Sequence, residues 1–189
     1  MKVIIVGGVA GGASTATRLR RVAEDAEIIM FEQGPYVSFA NCGLPYHLSG
    51  TIKEREQLLV TTPESLRELV NLDVRTNQEV VAIDPEKKTV TVRDLLNDRE
   101  YTESYDKLLL APGASPVVPP LLGVDKEGVF VLHNIPELDA ISGWIKTHQV
   151  KRAVVVGGGF IGLEVAENLI EAGIKVELVE MLNQVMAPL

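Results

Sequence analysis

The chain has 189 residues, a formal net charge of −8 and 46% hydrophobic residues, which is typical of a soluble α/β protein. The acidic balance argues against nucleic acid as a partner, since nucleic-acid binding needs a basic patch. No apolar stretch approaches the ~20 residues of a membrane span. The one cysteine, Cys42, excludes an intrachain disulfide and indicates a reducing compartment, so we expect a cytoplasmic protein.

The N-terminal segment predicts one βαβ unit of a parallel sheet. A buried strand over residues 3–6 leads to a glycine turn at Gly7, and a helical pattern then runs to Val22. A second buried strand, over residues 27–32, ends at the acid Glu32.

The middle of the chain predicts a helix and a small antiparallel sheet. The helix begins at Pro63 with Thr62 as its N-cap. Alternating patterns separated by turn residues predict antiparallel strands, followed by a buried strand, and these strands cover residues 80–83, 89–93, 100–105 and 107–111.

A second βαβ unit follows a stretch rich in proline and glycine, residues 112–123, which is the best candidate for a domain junction. It repeats the first pattern, with strand 153–156, a glycine turn, a helix to Ala172 and a strand ending at Glu180. We therefore predict two domains, residues 1–112 and 113–189. A nucleotide-binding half normally continues to a third strand, so we expect the chain to be incomplete as a functional unit.

Both glycine turns predict dinucleotide binding. Glycines allow a tight turn, close approach of backbone N–H groups to a pyrophosphate and close helix–strand packing, while the terminal acid accepts hydrogen bonds from a ribose. The second turn has the full pattern, Gly157, Gly159 and Gly162. Glu180 would repel a 2′-phosphate, which favours NADH over NADPH.

The first turn departs from the pattern at one position. Gly7 and Gly12 hold the outer positions, but Val9 occupies the middle one. The nearby Gly8 and Gly11 can supply the backbone conformational freedom that the turn needs. Two different dinucleotide sites in one chain suggest FAD together with NAD(P)H, the usual redox pair.

The segment from Tyr36 to Tyr46, which contains Asn41-Cys42-Gly43, resembles the single-cysteine branch of the pyridine nucleotide-disulfide oxidoreductases. Supporting this are the opening Gly-Gly-Val-Ala-Gly-Gly, the run Ala111-Pro112-Gly113 and the second glycine turn. That branch includes coenzyme A-disulfide reductases, persulfide or polysulfide reductases, and NADH oxidases and peroxidases. The fold it implies is α/β, with tandem Rossmann-like FAD- and NAD(P)-binding units and a small antiparallel β insertion.

The resemblance implies that Cys42 is catalytic. Without a second cysteine beside it, Cys42 would cycle between a thiolate and a mixed disulfide, persulfide or sulfenic acid. The oxidases and peroxidases usually have a histidine where this chain has Ala10, which favours disulfide or persulfide reduction. The alternatives are an NADH oxidase or peroxidase, or an inactive nucleotide-binding fragment.

The site residues implied by pattern and resemblance fall into two groups. The cofactor-binding residues are Gly7, Gly8, Val9, Ala10, Gly11, Gly12, Glu32, Gln33, Asn41, Val80, Ala111, Pro112, Gly113, Gly157, Gly159, Phe160, Ile161, Gly162, Glu164 and Glu180. The coenzyme A contacts are Ser14, Arg18, Arg21, Ser38 and Asn41. An arginine on a helix face suits a phosphate, although Arg18, Arg20 and Arg21 could equally form a solvated face.

Three expectations concern what lies outside these residues. The three histidines show no metal spacing with one another or with Cys42, so we assign no metal site. Family members carry a later FAD segment and a C-terminal dimerisation domain that do not occur in this sequence. We therefore expect a homodimeric parent protein, a small-molecule disulfide or persulfide substrate, no membrane partner and an isolated chain that is inactive.

Overall fold

A computed structural model describes residues 1–187, and it divides into two compact units. The first unit contains Met1–Phe39 and Leu59–Ala114, and the second contains Ala40–Leu58 and the chain from Ser115 onward. The division after Ala114 lies within the stretch predicted as a junction, but the Cys42 segment belongs to the second unit. That the two regions bind FAD and NAD(P) respectively stays a prediction.

The first unit is built on a four-stranded parallel sheet of strands β1 (Lys2–Val6), β2 (Glu27–Glu32), β3 (Asp73–Thr76) and β7 (Lys107–Leu110). The strands lie in the order β3-β2-β1-β7, and the helices of this unit are α1 (Ala10–Val22) and α3 (Pro63–Val70). Strands β1 and β2 are nearly continuous apolar runs because both faces of this sheet are covered.

The two faces of the parallel sheet are covered by different elements. On one face Ile5 and Met30 pack with Ala16 of α1 and Leu66 of α3. On the other face a three-stranded antiparallel sheet, β4 (Gln78–Asp84), β5 (Thr89–Asp94) and β6 (Arg99–Ser104), contributes buried Val90 and Val92. The alternating burial of β5 is the pattern that identified these strands in the sequence.

The second unit holds the second βαβ motif, with β8 (Arg152–Val156) parallel to β9 (Lys175–Val179) and α5 (Phe160–Glu171) between them. It also holds 3₁₀ turns over Asn41–Gly43 and Arg55–Leu58, helix α2 (Leu44–Ser49) and helix α4 (Ile135–His148). The Arg55 guanidinium binds Asp139 of α4 through two contacts of 2.7 Å. Within residues 1–187 no helix is long and apolar enough to cross a membrane.

The structure confirms both βαβ units, the antiparallel strands and the Thr62 N-cap, whose hydroxyl accepts from the Ser65 N–H. Helix α4 was not predicted. Its start carries a recognisable signal, because Asn134 and Glu137 form a capping box with Pro136 in the first turn.

Candidate functional site

The first glycine turn joins β1 to α1 through a backbone that only glycines permit. Gly7 has a φ of +94°, and its N–H donates to the Phe31 carbonyl at 2.8 Å. A Cβ on Gly12 would lie 1.7 Å from the Gly7 carbonyl oxygen, so helix and turn approach too closely for any other residue. These glycines therefore fix the start of α1 at the end of β1.

The second glycine turn has the same geometry. Gly157 has a φ of +105°, its N–H donates to the Val179 carbonyl at 2.8 Å, and a Cβ on Gly162 would lie 1.9 Å from the Gly157 oxygen. A Cβ on Gly159 would meet nothing within 4 Å, which leaves the outer side of this turn open. That open side is where a pyrophosphate approaches in this type of turn.

Each terminal acid is tied to its own turn. Glu32 accepts from the N–H groups of Gly8 and Gly34, both at 2.8 Å. Glu180 accepts from Gly158 at 2.6 Å and from Leu182 at 2.8 Å. The hydrogen bonds from the backbone N–H groups of Leu182, which has the larger effect, and Gly158 hold the pKa of Glu180 below its ordinary value.

The loops that follow the two terminal acids also have the same backbone geometry, a similarity that was not predicted from the sequence. Ser38 and Met186 both have positive φ, 47° and 54°, and their N–H groups donate at 2.9 Å to the carbonyls of Gly8 and Gly158. Backbone geometry preserves this loop although the side chains share nothing, so residue patterns could not show it.

The helices that follow the two glycine turns begin without side-chain caps. The residues before α1 and α5 are Val9 and Gly159, neither helix has a capping hydrogen bond, and neither has an acid in its first turn. By contrast, Thr62 and Asn134 cap α3 and α4. The uncapped N–H groups and the helix dipole suit a phosphate, so the residues present fit dinucleotide binding at both turns.

The predicted second flavin segment lies beside the first turn. The Ala111 N–H donates to the Val6 carbonyl at 2.8 Å, and the Ala111 oxygen lies where a Cβ of Gly7 would be, only 2.0 Å away. Gly113 follows with a φ of +72°. Val80 lies on β4 at a bulge, and Gln33 follows Glu32 directly. Contacts of these residues with FAD stay a prediction.

Four of the five predicted coenzyme A residues line one cavity of about 410 Å³ in the first unit. They are Ser14, Arg18 and Arg21 of α1, and Ser38. Arg18 and Arg21 are exposed and neither forms an ion pair within residues 1–187. Leu66 and Val70 of α3 add an apolar wall.

Arg20, on the same helix, has a structural role. Its guanidinium donates to four backbone carbonyls, those of Glu24, Ala26, Val70 and Asn71, at 2.5 to 3.0 Å. It therefore joins the C-terminal ends of α1 and α3. Three neighbouring arginines were indistinguishable in the sequence, and only packing separates the structural one from the two that face the cavity.

Cys42 is exposed and lies in the 3₁₀ turn that precedes α2. Its neighbour Asn41 donates to the His133 carbonyl at 3.5 Å, and a Cβ on Gly43 would come within 2.7 Å of the Leu58 side chain. Both residues thus hold the cysteine turn within the second unit. Glu164, also predicted to bind cofactor, lies on α5, and interaction with its carboxyl raises the pKa of the Tyr46 phenol on α2.

A larger cavity of about 510 Å³ is lined by Arg67, Arg75 and Arg99 in the first unit. Arg75 binds Asp73 and Glu103, and Arg99 binds the buried Asp94. Carboxylates thus offset the charge of these arginines, and none of them was predicted as a site residue. No group of three or more His, Cys, Asp or Glu able to hold a metal ion occurs in the described chain.

Two βαβ units with glycine turns, terminal acids and uncapped helices define a tandem dinucleotide-binding α/β protein. The family model described as pyridine nucleotide-disulphide oxidoreductase matches residues 1–189, and the chain belongs to that family.

Named relatives agree with this assignment. The chain is 44% identical over 188 residues to the coenzyme A disulfide reductase of Staphylococcus haemolyticus, covering 98% of this chain and 42% of that protein. It therefore spans less than half the length of this relative.

Two solved structures are also similar. The reduced CoADR-RHD protein of Bacillus anthracis has a TM-score of 0.97 and 52% identity, and the match covers 100% of this chain and 34% of that one. An NAD-dependent persulfide reductase from A. fulgidus has a TM-score of 0.94 and 38% identity over 99% of this chain and 35% of that one.

Proposed function

We propose that this chain forms the front part of an FAD- and NAD(P)H-dependent reductase of coenzyme A disulfide, coenzyme A persulfide or polysulfide. Cys42 is the redox-active residue in this proposal. The observation that carries it is the cavity beside α1, where four residues expected to contact coenzyme A converge. Two of the four are arginines that form no ion pair within residues 1–187.

The cavity suits a phosphorylated ligand with an apolar portion. Exposed guanidinium groups on one helix face bind phosphate oxygens through charge-assisted hydrogen bonds, and hydroxyls at Ser14 and Ser38 add donors. The apolar wall from α3 suits the less polar part of such a ligand. The named relatives, a coenzyme A disulfide reductase and a persulfide reductase, support the same substrate class.

In this proposal each glycine turn binds a different cofactor. The first turn, with Glu32, would hold FAD, and the second, with Glu180, would hold the nicotinamide dinucleotide. A carboxylate that already accepts two backbone N–H groups still has lone pairs for ribose hydroxyls, but it repels a 2′-phosphate. NADH is therefore the preferred reductant. Bound FAD would carry two electrons from the hydride of the nicotinamide to the sulfur of the redox centre.

Cys42 fits the sulfur chemistry because it is exposed and has no partner cysteine in the sequence. Its thiolate can attack a disulfide, which breaks the substrate S–S bond, forms a mixed disulfide between Cys42 and one half, and releases the other half as a thiolate. The competing activity is that of an NADH oxidase or peroxidase, in which Cys42 cycles through a sulfenic acid. Ala10 counts against it, because no histidine stands in the first turn.

The test uses the complete FAD-loaded protein, mixed anaerobically with NADH and either coenzyme A disulfide or coenzyme A persulfide. We expect rapid loss of NADH absorbance coupled to release of thiol or sulfide. NADH loss only after air or peroxide is admitted would replace this proposal with the oxidase or peroxidase activity.

The variant Cys42→Ser isolates the role of the thiol. We expect it to abolish turnover of disulfide while NADH still reduces the flavin, which serves as the internal control for folding and cofactor binding. Disulfide turnover that persists in Cys42→Ser would exclude Cys42 as the redox centre.

A further inference from the structure

The cavity of about 510 Å³ in the first unit brings together side chains from four separate elements, α3, β3, β4 and β6. Its lining consists of Arg67, Arg75, Thr76, Gln78, Arg99 and Tyr101. It therefore offers three guanidinium groups, two hydroxyls and one amide, and no acidic residue of the described chain lines it. A wall so rich in cationic donors suits an anion, which supplies only acceptors.

The ion pairs behind this wall use the N–H groups of the three arginines unequally. A guanidinium has five N–H donors, and those still free decide whether an arginine can bind a ligand. Arg75 has most of its donors engaged. Its Nε and Nη2 bind Asp73 at 2.9 and 2.6 Å, and its Nη1 binds Tyr101 at 3.3 Å and Glu103 at 2.9 Å. Arg75 is thus a structural part of the wall.

Arg99 is held at one edge only. Its Nε binds the buried carboxylate of Asp94 at 3.2 Å, and this is the one hydrogen bond of the guanidinium within residues 1–187. Asp94 is itself fixed by the Asn97 side chain at 2.8 Å. The pair with Asp94 therefore positions Arg99, while the N–H groups of both terminal nitrogens remain available to a ligand.

Arg67 is bound to a neutral acceptor rather than to a carboxylate. Its Nη2 donates to the Val74 carbonyl, and its Nη1 lies 3.7 Å from the Glu64 carboxyl, which is too far for a hydrogen bond. The side chains of Arg67 and Glu64 are 48% and 70% exposed, so water weakens their attraction. The charge and the Nε donor of Arg67 therefore remain available to a second anion.

We propose that this arginine cavity binds a phosphate group between Arg67 and Arg99, with the Thr76 hydroxyl as a further donor. A phosphate has several oxygens and accepts from two guanidinium groups at once, which a chloride ion cannot match. The cavity volume lies within the range of small-molecule sites, so the group is free inorganic phosphate or part of a small phosphorylated molecule. This site is separate from the cavity beside α1 and does not depend on the proposed function.

The test uses the complete protein, with pyrophosphate and inorganic phosphate as probes and NaCl to keep the ionic strength constant. We expect pyrophosphate to raise the thermal midpoint, because it binds the folded state, and calorimetry to give its dissociation constant. Arg67→Gln and Arg99→Gln should each weaken this binding about tenfold. Equal binding of both probes would indicate a site for one phosphate group, and tighter binding of pyrophosphate a site for two; both results support the proposal.

Arg93→Gln is the matched control. Arg93 lies on β5 of the same antiparallel sheet and binds Glu100 at 2.8 Å, but it does not line the cavity. This variant loses the same charge and an ion pair, and it should bind pyrophosphate as the wild type does. Arg67→Gln leaves the Arg99–Asp94 pair intact, so it remains informative if Arg99→Gln fails to fold.

Three results would overturn the proposal. Pyrophosphate binding that is unchanged in Arg67→Gln would place the anion elsewhere, for example at a glycine turn. Equal weakening in Arg93→Gln would mean that net charge alone attracts the anion. The same rise in thermal midpoint with NaCl at equal ionic strength would reduce the effect to general screening.

Discussion

The two glycine-turn units of this chain share a backbone but differ in what covers the equivalent helix face. Aligning Gly7 with Gly157 pairs Ser14 with Glu164 and Arg18 with Asn168. In the first unit this face lines an open cavity with exposed arginines, whereas in the second it carries an acid and a buried amide and packs against α2. The same scaffold thus presents exposed arginines in one copy and a partly buried acid beside a buried amide in the other.

The geometry of the turn and the side chains of the helix face are therefore independent of each other. Close packing and positive φ constrain the glycines, so both copies keep them. The helix face that points away from the strands is free to diverge. The next experiments probe that separation, from the shared backbone to the divergent faces.

The largest expected effect comes from Gly12→Ala and Gly162→Ala. The added Cβ would collide with the Gly7 or Gly157 oxygen at 1.7 or 1.9 Å, so we expect a loss of about 3 kcal/mol in the free energy of unfolding, measured by urea titration. Gly11→Ala is the matched control, because its Cβ would meet only the Ala111 side chain at 3.5 Å. Equal stability of Gly11→Ala and Gly12→Ala would show that the close contact does not constrain the turn.

Replacing Arg20 should lower stability by a smaller amount, whereas replacing Arg21 should affect ligand binding instead. Removing the Arg20 guanidinium leaves four carbonyls without their donor, so Arg20→Ala should lower the free energy of unfolding by about 2 kcal/mol. Arg21→Ala should leave stability unchanged but weaken binding of coenzyme A, measured by calorimetry. Lys53→Ala, an exposed charge in the other unit, controls for net charge. Weaker binding in Lys53→Ala equal to that in Arg21→Ala would argue against a specific phosphate contact.

The smallest effect concerns pH. Because the pKa of Glu180 is lowered in the folded chain from an ordinary 4.5, its contribution to stability is complete above that value and is lost as pH falls through the folded pKa. We expect the thermal midpoint to fall as the pH is lowered below the ordinary carboxyl pKa, and to fall less steeply in Glu180→Gln. Glu171→Gln is the exposed control. The same pH dependence in Glu180→Gln and the wild type would mean that the two backbone donors do not favour the ionised acid.

The sequence was most informative where local rules determine structure. Buried apolar runs, glycine turns and terminal acids predicted both βαβ units, and alternation predicted the strands β4, β5 and β6. It did not show that Ala40–Leu58 joins the second unit, because that association depends on tertiary contacts such as the Arg55–Asp139 pair. Nor could it separate Arg20 from Arg18 and Arg21, since their helix positions look alike until α3 is in place.

The residues of the candidate site also fall into those that the sequence predicts and those that only the folded structure shows. Family resemblance and motif identified Ser14, Arg18, Arg21 and Ser38, which the folded chain brings to one cavity. Asn168 carried no signal in the sequence, because an asparagine on a helix is an ordinary residue. Only its burial and the missing partner of its amide oxygen within residues 1–187 distinguish it.

The uncapped starts of α1 and α5 link cofactor supply to the lifetime of the protein. A ligand that satisfies those N–H groups binds the folded state alone, and at a concentration one hundred times its dissociation constant it adds about 2.7 kcal/mol to stability. A cell short of flavin would hold more of this chain in opened forms that proteases can cut. In the proposed function these uncapped helix starts hold the dinucleotides, and the abundance of the protein would then follow the supply of its cofactor.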